Sequence, residues 1–209
     1  MMGHILLRLA VISLCVFAVL SGGCVNLGSG TQQTTKFYVL NSLYSLEEPP
    51  AAGTAQDDLA IGVGPIELPK YVNRPQIVTR TSRNELEVAL FARWGEPLEE
   101  NFSRVLAENF AILLGTDRVI VYPRKRTVPI AYQVAVEVTR FDGALGGDVS
   151  MRARWTVLGD DGEKILLREH ASFRGRAEGE AYGALVAAQS RMLAELSRKI
   201  AAEITALAK

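Results

Sequence analysis

Cysteine and histidine are almost missing from this chain, with two of each in 209 residues. His4 and Cys15 lie in or beside an apolar run near the N-terminus. A chain cut after that run keeps only Cys24 and His170. One cysteine cannot close an intramolecular disulfide, and one cysteine with one histidine cannot make a zinc cluster. A hydrolytic triad needs a base beside its nucleophile, most often histidine. His170 is the sole candidate, and in the strand-like stretch LLREHASF beside Arg168 it reads as a surface residue. No GxSxG elbow is present to pair with it.

Net charge is missing too. The chain carries 23 basic and 23 acidic residues, so it lacks the concentrated basic surface that nucleic acid requires. The longest apolar run, residues 9–20 (LAVISLCVFAVL), spans about 18 Å as a helix, short of the roughly 30 Å hydrocarbon core. Gly62 and Gly64 form a GxG, but Pro65 and a strand follow it, where a phosphate site needs a third glycine and a helix. Asp57-Asp58 and Asp160-Asp161 fall in turns and read as solvated acids, not Ca²⁺ ligands. The triplet Arg124-Lys125-Arg126, between Pro123 and Pro129, reads as a solvated loop, with acidic head groups or a partner as its functional alternative. No enzyme activity and no cofactor are expected.

What is present begins with a leader. Residues 1–8 carry Arg8 and no acid, twelve apolar residues follow, and Ser21, Gly22 and Gly23 precede Cys24. A positive start, a short apolar core and a small-residue exit describe a secretory signal peptide. A cysteine directly after the small residues resembles a bacterial lipobox, with Ser21 where leucine is usual and Leu20 one place further back. The plainer reading is an ordinary signal with Cys24 a bystander. Residues 1–23 are thus expected to be a lipoprotein signal, Cys24 the lipidated residue, and 24–35 a small, polar tether. Residues 36–209 are expected to form one domain, since a chain of this length buries roughly 70% of its unfolded surface in a single core.

Within it, hydrophobic period separates strands from helices. Phe37–Leu40, Ile61–Ile66, Ile77–Thr81 and Glu85–Ala92 read as strands, the last two as a hairpin with Leu86, Val88 and Leu90 on one face. Pro97 opens a helix whose stripe is Leu98, Phe102, Val105, Leu106, Phe110 and Leu113, with Gly115 closing it. Val119–Tyr122 is a short strand. Tyr132–Thr139 and Val149–Val157 alternate apolar with polar residues, and Ile165–Phe173 completes the set. A helix from about Glu180 carries Leu185, Met192, Leu196, Ile200, Ile204 and Leu207. One polar face per long strand places both helices on the same side. The expected fold is α+β, a two-layer sandwich of a mixed, mostly antiparallel sheet under two main helices.

The segment GPIELPKYVNRPQIVTR (Gly64 to Arg80) resembles the signature of the ABC-type transport auxiliary lipoproteins, which include the paraquat-inducible protein C type. Trp94 with Glu96-Pro97-Leu98, the stretch YQVAVEVTRFDG and the strand through Trp155 agree with it. The resemblance implies an outer-membrane lipoprotein facing the periplasm. Its partners would be an MCE-domain protein and inner-membrane permease or ABC transporter components, with lipids or other hydrophobic molecules as cargo. A homo-oligomeric ring is a further implication. Val25, rather than Asp, after the cysteine agrees with the outer membrane. Pro69 and Pro75 stiffen the backbone before them, and Tyr71 and Arg74 are types favoured at hot spots. Leu68, Tyr71, Arg74, Gln76 and Arg80 are therefore the candidate partner-binding residues. The bland reading has the prolines ending strands and Tyr71 packing on the core. A regulatory or structural lipoprotein acting on cell-wall synthesis, and a lipid carrier with an apolar cavity, are the competing functions.

Overall fold

The computed structural model describes residues 33–46, 59–123 and 129–208. The signal, Cys24, most of the tether, Asp57-Asp58 and the Arg124–Arg126 triplet lie outside them. Described residues from Thr35 onward belong to one compact unit.

Two mixed sheets form. In the smaller, β1 (Lys36–Tyr38) runs parallel to β4 (Leu86–Trp94), which pairs antiparallel with β3 (Gln76–Arg80), in the order β1-β4-β3. The larger has the order β5-β2-β6-β7-β8. It comprises β2 (Ile61–Glu67), β5 (Val119–Val121), β6 (Tyr132–Gly143), β7 (Asp148–Gly159) and β8 (Lys164–Arg176). The α+β class is as the sequence predicts, but its strands divide between two sheets. The physical reason is that β5 and β6 take both edges of β2 in parallel, leaving the β3–β4 hairpin to pair with β1. Short helix α1 (Leu43–Leu46) follows β1, α2 (Leu98–Leu114) follows β4, and α3 (Tyr182–Leu207) ends the chain.

The alternation in β6 and β7 fixes which face is dry. Val134, Val136 and Val138 align with Val157, Trp155 and Ala153, and all six are buried. Both long helices cover that face. Phe102 of α2 meets Phe141 edge-on with centroids 5.7 Å apart, and Trp155 Nε1 donates to Glu203 Oε2 of α3 at 2.6 Å. Each large apolar side chain so buried contributes about 1.5–3 kcal/mol. Pro97 caps α2 from outside, and Gly115 closes it in the left-handed conformation (φ 63). Among described residues no helix is long and apolar enough to cross a membrane.

The GxG now has a structural cause. A Cβ on Gly62 would lie 2.9 Å from Ile130 Cδ1, and one on Gly64 (φ +117) 2.8 Å from Tyr122 Cβ. Both positions need glycine so that neighbouring segments can approach the backbone of β2. Asp160 and Asp161 adopt positive φ in a tight 3₁₀ turn between β7 and β8. Leu86, Val88 and Leu90 stay exposed, with Leu90 at 79%. A register shift in β4 between Val88 and Arg93 turns Ala89, Ala92 and Trp94 to the core instead.

Candidate partner-binding site

The Gly64–Arg80 segment leaves β2, turns at Pro69 and enters β3. Val72 N and Asn73 N both donate to Pro69 O at 3.0 Å, and Arg74 N donates to Val72 O at 2.9 Å. This tight turn separates the five candidate residues. Leu68 packs into the core at 9% exposure, so it shapes the loop from beneath. Arg74 and Gln76 remain outside, joined by an Arg74 Nε to Gln76 Oε1 bond of 3.2 Å.

Tyr71 and Arg80 converge on one carboxylate that the sequence did not mark. Asp142, at the end of β6, has no exposed surface. Arg80 grips it with two bonds of 2.8 Å, from Nε to Oδ1 and Nη2 to Oδ2. Tyr71 Oη donates to Oδ2 at 2.5 Å, and Arg140 Nε to Oδ1 at 3.1 Å. Burial opposes the charge on Asp142, but the bonds from Arg80 and Tyr71 outweigh it and hold the carboxyl below its ordinary value. Burial, reinforced by Asp142, pushes the Tyr71 phenol up to about 12. The cluster ties the two sheets together.

A second convergence faces solvent. Asn73, Arg74 and Pro75 meet Trp94, Glu96, Pro97 and Leu98 around a notch of about 320 Å³. Pro75, Trp94, Pro97 and Leu98 form its apolar walls; Asn73, Arg74 and Glu96 form its rim. Backbone and side-chain bonds fix it. Trp94 N donates to Pro75 O at 2.8 Å, and Asn73 Nδ2 to Glu99 Oε2 at 2.9 Å. Glu96 Oε1 accepts from Asn101 Nδ2 and Arg104 Nη2, both at 2.7 Å. The bond to Glu96 also raises the Arg104 guanidinium above its ordinary value. A preformed apolar notch with charged edges suits an anchoring side chain of a protein partner. Its two walls come from segments 19 to 25 residues apart in the chain, one carrying Pro75 and the other Trp94 and Pro97.

Two buried amides escaped the sequence reading. Asn101 and Asn109 lie buried in α2, where Asn101 Oδ1 accepts Leu40 N at 2.7 Å and Asn109 Oδ1 accepts Leu43 N at 2.8 Å. Ser190 Oγ of α3 accepts Asn41 N at 3.1 Å. The segment after β1 is thereby strapped to both helices. The available signal was an asparagine repeated eight residues apart within an apolar helical stripe. His170 is exposed on β8 opposite Arg154. Among the described residues no three His, Cys, Asp or Glu side chains gather as a metal site.

The model of the ABC-type transport auxiliary lipoprotein component matches residues 38–201, a span that takes in the notch, the Asp142 cluster and both helices. This chain belongs to that family. It is a family of auxiliary transport components, not of enzymes. No curated protein matches this auxiliary lipoprotein. Among solved structures, an uncharacterized protein is similar at 19% identity and a TM-score of 0.65, covering 82% of this chain and 99% of its own. A Xanthomonas campestris protein is similar at 16% identity and a TM-score of 0.64, covering 80% and 93%. At such identities the likeness concerns the fold alone.

Proposed function

We propose that this auxiliary lipoprotein is the non-enzymatic accessory subunit of an ABC-type system moving lipids or other hydrophobic molecules between the inner and outer membranes. It is held at the outer membrane by lipid on Cys24, faces the periplasm and docks an MCE-domain protein, which works with the inner-membrane permease. The observation that carries this reading is the notch, where Arg74 and Pro75 meet Trp94, Pro97 and Leu98 in a shape that fits a partner's side chain. The filled interior between helices and sheet, with Phe102, Phe141, Met151, Trp155 and Leu185 at 2% exposure or less, supports docking over carrying cargo inside. Val25 after the cysteine supports the outer membrane.

A pull-down from envelope extracts tests it. The parent chain recovers an MCE-domain protein, and Arg74→Glu with Pro75→Ala recovers at least tenfold less, a loss in the hot-spot range. Recovery of cell-wall synthases without any MCE-domain protein would favour the competing role and sink the transport reading.

A further inference from the structure

The chain has no net charge, yet one of its faces is strongly basic. In β6, β7 and β8 the side chains opposite the helices are set by register. Glu137, Arg154 and His170 share one row, Arg140, Arg152 and Ser172 the next, and Arg174 pairs with Ser150. Arg168 and Arg176 extend the face at either end of β8. Against these six arginines stand four acids, among which Glu67 lies beside Glu137 and Asp148 lies opposite Arg176. Glu137 is bound by Arg154 at 2.5 Å, and Asp142 is buried between Arg80 and Arg140. Arg152, Arg168, Arg174 and Arg176 are exposed and have no carboxylate partner among the described residues.

We infer that this outer face of the five-stranded sheet docks on an anionic phospholipid surface, through its row of unpaired arginines. Charge complementarity is the first argument. Guanidinium groups bind phosphate oxygens with two parallel bonds, and the basic side chains on the face are arginines. Shape is the second. The face is an open sheet, and its shallow recess of about 520 Å³ mixes Arg154, Arg168 and His170 with Glu67, Glu137 and Glu169, so the arginines beyond it, Arg152 and Arg174, are the ones free to meet a layer of head groups. Third, the face is flanked by an exposed apolar side chain. Leu86, 36% exposed, pairs with Arg80, whose guanidinium reaches Asp142 on the outer side of β6. Apolar area beside a basic patch is the combination that strengthens interfacial binding.

The setting rests on the membrane-anchored reading proposed above. Eleven residues separate Cys24 from β1, a reach of at most about 40 Å, so an anchored domain would meet head groups at high effective concentration. The test itself does not use the anchor. Its protein is the chain from residue 24 with Cys24→Ser, so that no acyl chain contributes, and its readout is co-sedimentation with vesicles.

The parent should bind phosphatidylglycerol/phosphatidylethanolamine vesicles and not phosphatidylcholine vesicles, and should release at about 1 M salt, where the screening length is about 3 Å. Each basic residue near an anionic surface is worth roughly a fivefold change in partition, so R152E/R168E/R174E, which removes three cations and adds three anions, should lose at least about a hundredfold. R152K/R168K/R174K, which keeps the charge, should still sediment. All three positions are exposed and unpaired, and an unchanged circular dichroism spectrum checks that both variants are folded. Equal binding to the uncharged vesicles, no binding at low salt, or binding that survives charge reversal each overturns the inference. None of these results bears on whether Cys24 is lipidated.

Discussion

Asn109 Nδ2 donates to Ser197 Oγ at 2.9 Å across the seam between α2 and α3, while the same amide's Oδ1 accepts the Leu43 N–H. One buried side chain therefore joins two helices and the segment that follows β1. Replacing it with leucine, similar in volume, strands a buried backbone N–H and takes away a partner of Ser197. Leaving a buried polar group unpaired costs about 1–3 kcal/mol. Asn109→Leu is expected to lower the urea midpoint accordingly at unchanged m-value. A neutral result would mean that the strap holds without this amide.

The Asp142 cluster predicts a pH signature at both ends of the scale. Asp142 has its folded pKa lowered. Its stabilisation is fully present above the unfolded carboxylate value, about 4, and is lost as pH falls through the folded value. Asp142→Asn should cost about 2 kcal/mol near neutrality, and the gap to the parent should close as pH drops below about 4. Tyr71 runs the other way. Its folded pKa is raised to about 12, so its contribution is complete below the unfolded value of about 10 and disappears as pH climbs toward 12. Tyr71→Phe should cost about 1 kcal/mol at neutral pH and nothing at the alkaline limit. Urea titrations at several pH values read both; a gap that stays constant with pH would contradict the ionised Asp142 and its phenol donor.

Gly64 and Gly179 separate two reasons for being glycine. Both have positive φ, +117 and +129, in the range that favours glycine. A Cβ on Gly64 would strike Tyr122, whereas one on Gly179 meets nothing within 4 Å. Gly179→Ala should cost only the backbone strain, about 1–3 kcal/mol. Gly64→Ala adds overpacking and should lose about 1–3 kcal/mol more. Equal shifts in melting temperature for the two would show that Tyr122 moves aside freely.

Much of the fold was legible because β7 and the Tyr132–Thr139 part of β6 alternate without a break, so their dry faces are set by period alone, and α2 carries both an apolar stripe and its closing glycine. The division into two sheets was hidden, since nothing in the residues of β2 says that two parallel neighbours will occupy both its edges. Leu86, Val88 and Leu90 alternate like a buried face, but the register shift that exposes them depends on which strand lies alongside. The same limit applied to the site. Tyr71 and Arg80 read as surface contacts, and only their convergence on a buried Asp142, more than 60 residues further on, turns them into a joint between sheets. Arg74 and Trp94 stood out separately; their shared notch is a tertiary fact.

Cys24 remains the residue on which location turns, and the basic sheet face sharpens how it must be tested. Cys24→Ser removes the proposed acylation site but leaves the arginines of β6–β8, so on the proposed reading the variant still touches an anionic leaflet by charge alone. Electrostatic contact is screened by salt, whereas several acyl chains, at about 0.8 kcal/mol per buried CH₂, are not. The expected outcome is that the parent protein stays with outer-membrane fractions through a wash at about 1 M salt and leaves only with detergent. The Cys24→Ser protein should be folded and released by that same wash. Retention of the serine variant through high salt would mean that something other than lipid on Cys24 holds the domain. Loss of the parent in salt would mean that it carries no lipid at all.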